Sequence, residues 1–151
     1  MPVSWNCLKF EQLTLEQLYA ILQLRIEVFI VEQNCPFQDA DNKDNKGYHL
    51  MAWKHNLLIA YTRLLPAGIS YKEPSIGRVV TSPKVRGNGI GNELMQRSIE
   101  GCYSLFGKTD IRIGAQLYLK KFYESHGFRQ AGAIYDEDGI DHIEMIRSLN
   151  G

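Results

Sequence analysis

The chain has 151 residues, a length at which one hydrophobic core can bury roughly 70% of the surface of the unfolded chain. An apolar fraction of 44% and a charged fraction of 23% belong to an ordinary globular protein and exclude a disordered or fibrous chain. Acidic and basic residues cancel at 17 each, so no net field draws the protein to nucleic acid or to an anionic membrane.

Residues Met1 to Asn6 carry no basic run ahead of an apolar stretch. No later segment approaches the ~20 apolar residues of a membrane span, so a cytoplasmic protein with no membrane partner is expected. Cys7, Cys35 and Cys102 are odd in number and never form a Cys-x-x-Cys pair, which fits reduced thiols. Cys102 falls on an apolar helix face and reads as a core residue.

In chain order, Val3 to Phe10 alternates loosely and reads as a strand. Thr14 and Gln17 form a capping box ahead of Leu15, Leu18, Leu22, Ile26 and Phe29, whose spacing predicts an amphipathic helix. From Glu32 to Gly47 that periodicity vanishes and a long loop is expected, a length that tends to carry function. Leu50–Lys54 and Leu57–Leu65 flank His55-Asn56 as a hairpin, and after the polar break Pro66–Pro74 the run Ile76–Thr81 reads as a short strand. Leu94, Met95, Ile99, Cys102 and Phe106 mark a helix. Asp110–Ala115 reads as a buried strand, Gln116–His126 as a helix ended by Gly127, and the remainder as a hairpin about Asp138-Gly139 that finishes with Ile143 to Leu149. No linker divides the chain, so a single domain over 1–151 is expected.

The informative unit is strand, glycine turn, helix: Arg86-Gly87-Asn88-Gly89-Ile90-Gly91 stands between the strand at Val79 and the helix at Leu94. A helix start leaves N–H groups unpaired, and glycines there permit both φ > 0 and close approach of a phosphate. A P-loop would end in Gly-Lys-Ser/Thr, which is missing, and a dinucleotide fingerprint would place a third glycine near Leu94. What stands is Arg86-x-x-Gly89-x-Gly91.

That motif, after a β-branched strand, resembles the acetyl-CoA pyrophosphate loop of the GNAT superfamily of N-acetyltransferases. Phe122-Tyr123-Glu124-Ser125-His126-Gly127-Phe128 is similar to the superfamily's Phe-Tyr-x-x-x-Gly-Phe segment. Val31 to Asp39, Gly114-Ala115-Gln116 and Glu137-Asp138-Gly139-Ile140-x-His142-Ile143 resemble its ElaA-like branch. The resemblance implies an α/β domain with a mixed, mostly antiparallel sheet flanked by helices, whose strands around Val79 and Ile113 splay to admit the pantetheine arm. It implies main-chain pairing of pantetheine with Val79 and Thr81, and a pyrophosphate held by Arg86, Gly87, Asn88, Gly89, Ile90 and Gly91. It also puts Gln116 and Tyr123 near the thioester, with Tyr123 donating a proton to the departing sulfur.

N-acylation needs a deprotonated amine and a polarised carbonyl, the latter served by a backbone N–H at Val80 or a neighbour. The strand Ile76–Thr81 carries no carboxylate that can act as base. Glu32, Asp39, Asp41, His49, His142 and Glu144 are the remaining candidates, with Glu32 and His142 foremost. Glu32, Gln33 and Asp39 are expected on the wall of the acceptor pocket, whose acceptor is a small-molecule or protein amine. Asp39-x-Asp41 lacks the glycine and final glutamate of an EF-hand, and His142-x-Glu144 lacks the Pro-Cys-x-x-Cys of a zinc deaminase, so no metal is expected. A non-catalytic acyl-CoA-binding domain is the alternative, and a homodimer through the last strands stays open.

Overall fold

The computed structural model describes residues 2–149, so Met1, Asn150 and Gly151 of the domain expected over 1–151 lie outside the described residues. Strands β1 (Ser4–Lys9), β2 (Tyr48–Lys54), β3 (Leu57–Leu65) and β4 (Ser75–Thr81) form one antiparallel sheet in that order. Strands β5 (Ile111–Gln116), β6 (Arg129–Glu137) and β7 (Ile140–Arg147) form a second, in the order β5-β7-β6. Helix α1 (Leu15–Arg25) lies on one face of the first sheet, α2 (Ile90–Phe106) on the other, and α3 (Lys120–Glu124) packs beside β5. Among the described residues no helix is long and apolar enough to cross a membrane.

Both hairpins follow from turn chemistry. His55 and Asn56 both take positive φ (53° and 61°), as do Asp138 and Gly139 (55° and 84°), the requirement of a two-residue type I′ turn. The strands they join pair from Lys54↔Leu57 and from Glu137↔Ile140 outward. β3 is buried along nearly its whole length because helices cover both of its faces. Tyr61 packs with Ile21 and Leu24 of α1 and with Val28 just beyond it, and Leu64 with Met95, Ile99 and Cys102 of α2. Burial pushes the Cys102 thiol up to about 12, leaving it an inert core group.

Two elements differ from the sequence expectation. The first helix ends at Glu32, where the loop is expected to begin, but Ile26–Glu32 form a π-helix, in which Gln33 N–H donates to the Val28 carbonyl at 3.1 Å. This wider turn keeps Val28 in the core while advancing Glu32 and Gln33 beyond the end of the sheet. The helix expected over Gln116–His126 shrinks to α3 after a 3-10 turn at Leu117–Leu119, because Gln116 belongs to β5 and pairs with His142. Gly127, at φ 89°, ends α3 as its place in the sequence implies.

The segment after the π-helix is held by charge. Arg25, fully buried, donates to Asp39 at 2.9 Å and to Asp44 at 2.8 Å. Arg63 reaches Asp41 and Asp44, both at 2.8 Å, and Arg78 lies 2.9 Å from Asp39 and 3.2 Å from Asp41. Three cations and three anions thus close a neutral network that fixes residues 39–44 against β3 and β4. Burial alone would raise the Asp41 pKa, but the hydrogen bond and charge of Arg63, helped by Arg78, hold it at about 2.

Truncating one member of such a network strands its partners, so Arg25→Met should cost about 3–5 kcal/mol in denaturant unfolding. Because the folded pKa of Asp41 lies below its unfolded value, its contribution is present above pH ~4 and is lost as pH falls toward about 2. An acid titration followed by circular dichroism should therefore show a shallower loss of stability over that window for Asp41→Asn than for the parent protein.

Candidate active site

β4 and β5 start together and then part. The Arg112 N–H donates to the Pro74 carbonyl at 3.0 Å, just ahead of β4, and beyond that contact the two strands belong to different sheets. Past that contact no ladder joins Val79–Thr81 of β4 to Gly114–Gln116 of β5. A bulge sharpens the parting: β3–β4 register steps from Tyr61↔Val80 to Arg63↔Gly77, so Arg78 and Val79 share the space opposite Thr62. Arg78 carries the bulge in a left-handed conformation at φ 49°, which sends its guanidinium into the ion network.

At the wide end stands the glycine turn. Gly87 and Gly89 have φ of 89° and 75°, and a Cβ at either would meet nothing within 4 Å, so the backbone conformation and not crowding calls for glycine. Gly91 needs neither, since a Cβ there would make only ordinary contact with the Phe122 ring at 3.9 Å. Its bare main chain leaves room on the first turn of α2, where amides lack helical partners.

Arg86, at the mouth of this turn, donates both terminal nitrogens to Glu32 at 2.6 and 2.7 Å and touches the Thr81 carbonyl at 3.3 Å. The hydrogen bond from Arg86 holds the Glu32 carboxyl below its ordinary range, which makes Glu32 a weak base while the pair persists. Gln33 and Gln116 form a reciprocal amide pair at 3.1 and 3.2 Å that joins the end of the π-helix to the end of β5. Of the residues expected on the acceptor wall, Gln33 therefore reaches the gap, whereas the Asp39 carboxylate faces away into the buried network with Arg25 and Arg78.

Tyr123 is 5% exposed and lies edge-on to Phe122 and Phe128, and burial pushes its phenol pKa up. Val80 is buried against Tyr61, and Val79 and Thr81 are half-buried at the gap. The two histidine candidates differ. His49 Nε2 donates to the Asp44 carbonyl at 2.8 Å, which leaves Nδ1 to accept from the Tyr61 hydroxyl at 2.6 Å, so both nitrogens are committed. His142 lies opposite Gln116 in the ladder, with Nε2 3.3 Å from Glu137.

Sequence reasoning missed Tyr71, Tyr135 and Glu137. A Cβ on Gly114 would lie 2.8 Å from the Tyr71 hydroxyl and 2.9 Å from that of Tyr135, so this glycine makes room for two phenols on the floor of the gap. The two hydroxyls thus converge on the bare main chain of Gly114. A glycine inside a strand marks such close approach, and that was the available signal. Among the described residues, no group of three or more His, Cys, Asp or Glu side chains is placed to hold a metal ion.

A sheet parted at the fourth strand, with a left-handed glycine turn and a helix start at its wide end, defines a GNAT-like domain. The chain belongs to this family: the model of the acetyltransferase (GNAT) domain matches residues 16–149. It is similar to the protein ElaA of Escherichia coli, with 42% identity over 97% of each chain. The crystal structure of Escherichia coli ElaA superposes with a TM-score of 0.91, at 40% identity, covering 97% of this chain and 100% of that one. An acyl-CoA N-acyltransferase from Pseudomonas aeruginosa is similar at 42% identity and a TM-score of 0.93, over 97% of this chain and 100% of the other. An aminoglycoside 6'-N-acetyltransferase complexed with coenzyme A shares the fold at 15% identity and a TM-score of 0.68, over 99% of this chain and 97% of that one.

The crowding at Gly114 is testable without any ligand. Gly114→Ala should displace the Tyr71 and Tyr135 hydroxyls and cost about 1–3 kcal/mol, with an unchanged denaturant slope. Added Tyr71→Phe should restore part of that loss, and a Gly114→Ala protein as stable as its parent would show that the phenols yield freely.

Proposed function

We propose that the protein transfers an acetyl group from acetyl-CoA to a primary amine by direct attack within a ternary complex. The observation that carries this reading is the unpaired gap between β4 and β5, which ends at the left-handed glycine turn. An extended chain such as pantetheine can add to the free edge of β4 as a further strand, through main-chain groups of Val79 and Thr81. Arg86, Gly87, Asn88, Gly89, Ile90 and Gly91 would receive the pyrophosphate. Exposed Arg86 is held by equally exposed Glu32, a side-chain partner that an anion can replace, and by the Thr81 carbonyl.

With the cofactor so placed, the thioester lies toward Gln116 and Tyr123. A backbone N–H at the bulge, Val80 or its neighbour, would stabilise the oxyanion, and Tyr123, with its raised pKa, keeps its proton until the thiolate departs. The acceptor would enter between the π-helix and the second sheet, past Glu32 and Gln33. No step needs a metal ion, because a thiolate is already a good leaving group.

Titration calorimetry tests the cofactor assignment. Acetyl-CoA should bind, and Gly91→Val should weaken it at least tenfold with little change in melting temperature, since a Cβ at that position meets only ordinary contact. Unchanged affinity in the folded variant would sink the assignment. A panel of primary amines read out by thiol release then separates transfer from binding: acetyl-CoA bound without turnover of any amine would mark a non-catalytic acyl-CoA-binding domain.

A further inference from the structure

Resting on the acyltransferase reading, we propose that Glu137 and His142 receive the acceptor's ammonium group, Glu137 holding its charge and His142 Nε2 taking its proton. His142 is 8% exposed and sits on β7 between Gln116 of β5 and Tyr135 of β6. Its Nδ1 lies 2.8 Å from the Ile140 carbonyl. A carbonyl only accepts, so Nδ1 must carry the hydrogen, and the lone pair of the neutral ring is on Nε2.

Nε2 in turn lies 3.3 Å from the Glu137 carboxylate. With the ring neutral, these are two acceptors facing one another, and a group that donates to both is required to satisfy them. A primary ammonium has three N–H donors and can sit about 2.9 Å from each. When its proton passes to Nε2 the positive charge moves to the imidazolium, still beside Glu137, so one carboxylate compensates the charge before and after transfer.

The freed amine nitrogen then attacks the thioester carbonyl, the C–N bond forms and the C–S bond breaks. Tyr123 protonates the departing thiolate, the second proton lost from nitrogen restores the phenol, and His142 returns its proton to water. Glu32 is less suited to this task, being paired with Arg86, and His49 has no free lone pair. The other ionisable groups on this face are Tyr135, whose ring is 5.8 Å from His142, Tyr71, whose hydroxyl also approaches Gly114, and Glu144, which Arg112 pairs at 3.1 Å.

The test uses the full chain and an amine that turns over in the thiol-release panel. Glu137→Gln should raise the amine KM about tenfold while acetyl-CoA affinity stays the same, and Glu137→Asp should recover part of it. His142→Gln should lower kcat by about 10²-fold. Nitrogen NMR of labelled histidine, which needs no activity, should show the Nδ1–H tautomer of His142 in the parent protein and in Glu137→Gln. An Nε2–H tautomer, or an amine KM that stays unchanged in Glu137→Gln, would overturn the proposal and leave the acyltransferase reading standing. Absence of turnover with every amine, despite bound acetyl-CoA, would overturn both.

Discussion

Three arginines and three aspartates, none more than 23% exposed, fix where this molecule can do chemistry. Arg25 ends α1, Arg63 lies in the middle of β3 and Arg78 occupies the bulge of β4, and all three converge on a single stretch, Asp39 to Asp44. Burying such charges is costly, and the cost is offset only because each guanidinium meets two carboxylates at 2.8–3.2 Å. The result is a loop without regular structure that is nonetheless held on three sides. Its rigidity is transmitted backward to the π-helix, whose last residues therefore meet Arg86 and Gln116 in a defined way.

The bulge at Arg78 ties that network to the parted sheet. A non-glycine residue at φ 49° costs roughly 1–2 kcal/mol, and here the side chain so displaced gains two carboxylate partners. The same distortion removes β4 from regular pairing opposite Thr62 at the level where the gap opens. Strain, ion pairing and the shape of the cleft are thus aspects of one local decision by the chain. Gly114 is the counterpart on β5, where a missing side chain admits two phenols.

Much of the fold was legible in the sequence because turn chemistry and hydrophobic spacing are local. The two type I′ turns, the Thr14 capping box and the glycine that ends α3 were all readable from a few neighbouring residues, as was the glycine turn itself. The resemblance of Arg86-x-x-Gly89-x-Gly91 and Phe122–Phe128 to a known superfamily supplied the layout of the sheet, which spacing alone could not. The π-helix was hidden because Ile26 and Phe29 continue an ordinary helical spacing, and an i−5 ladder leaves no periodic mark over seven residues. The ion network was hidden for another reason. Its members are separated by up to 53 positions in the chain, and Asp39, Asp41 and Asp44 look like the solvated acids of any polar loop.

The pair of buried histidines shows what decides a role that sequence leaves open. His49 and His142 are both strand residues, both nearly inaccessible, and each has one nitrogen against a backbone carbonyl. A carbonyl forces a proton onto the nitrogen that faces it, so in His49 the proton is on Nε2 and in His142 on Nδ1. What separates them is the group at the other nitrogen. For His49 it is a hydroxyl, which donates and closes the last site, so protonation would break a bond already made, and burial lowers its pKa accordingly. For His142 it is a carboxylate, which cannot donate, so the lone pair persists and protonation would create a bond where none existed. One ring is a structural link in the network that braces the loop, and the other keeps its capacity for a proton at the edge of the cleft.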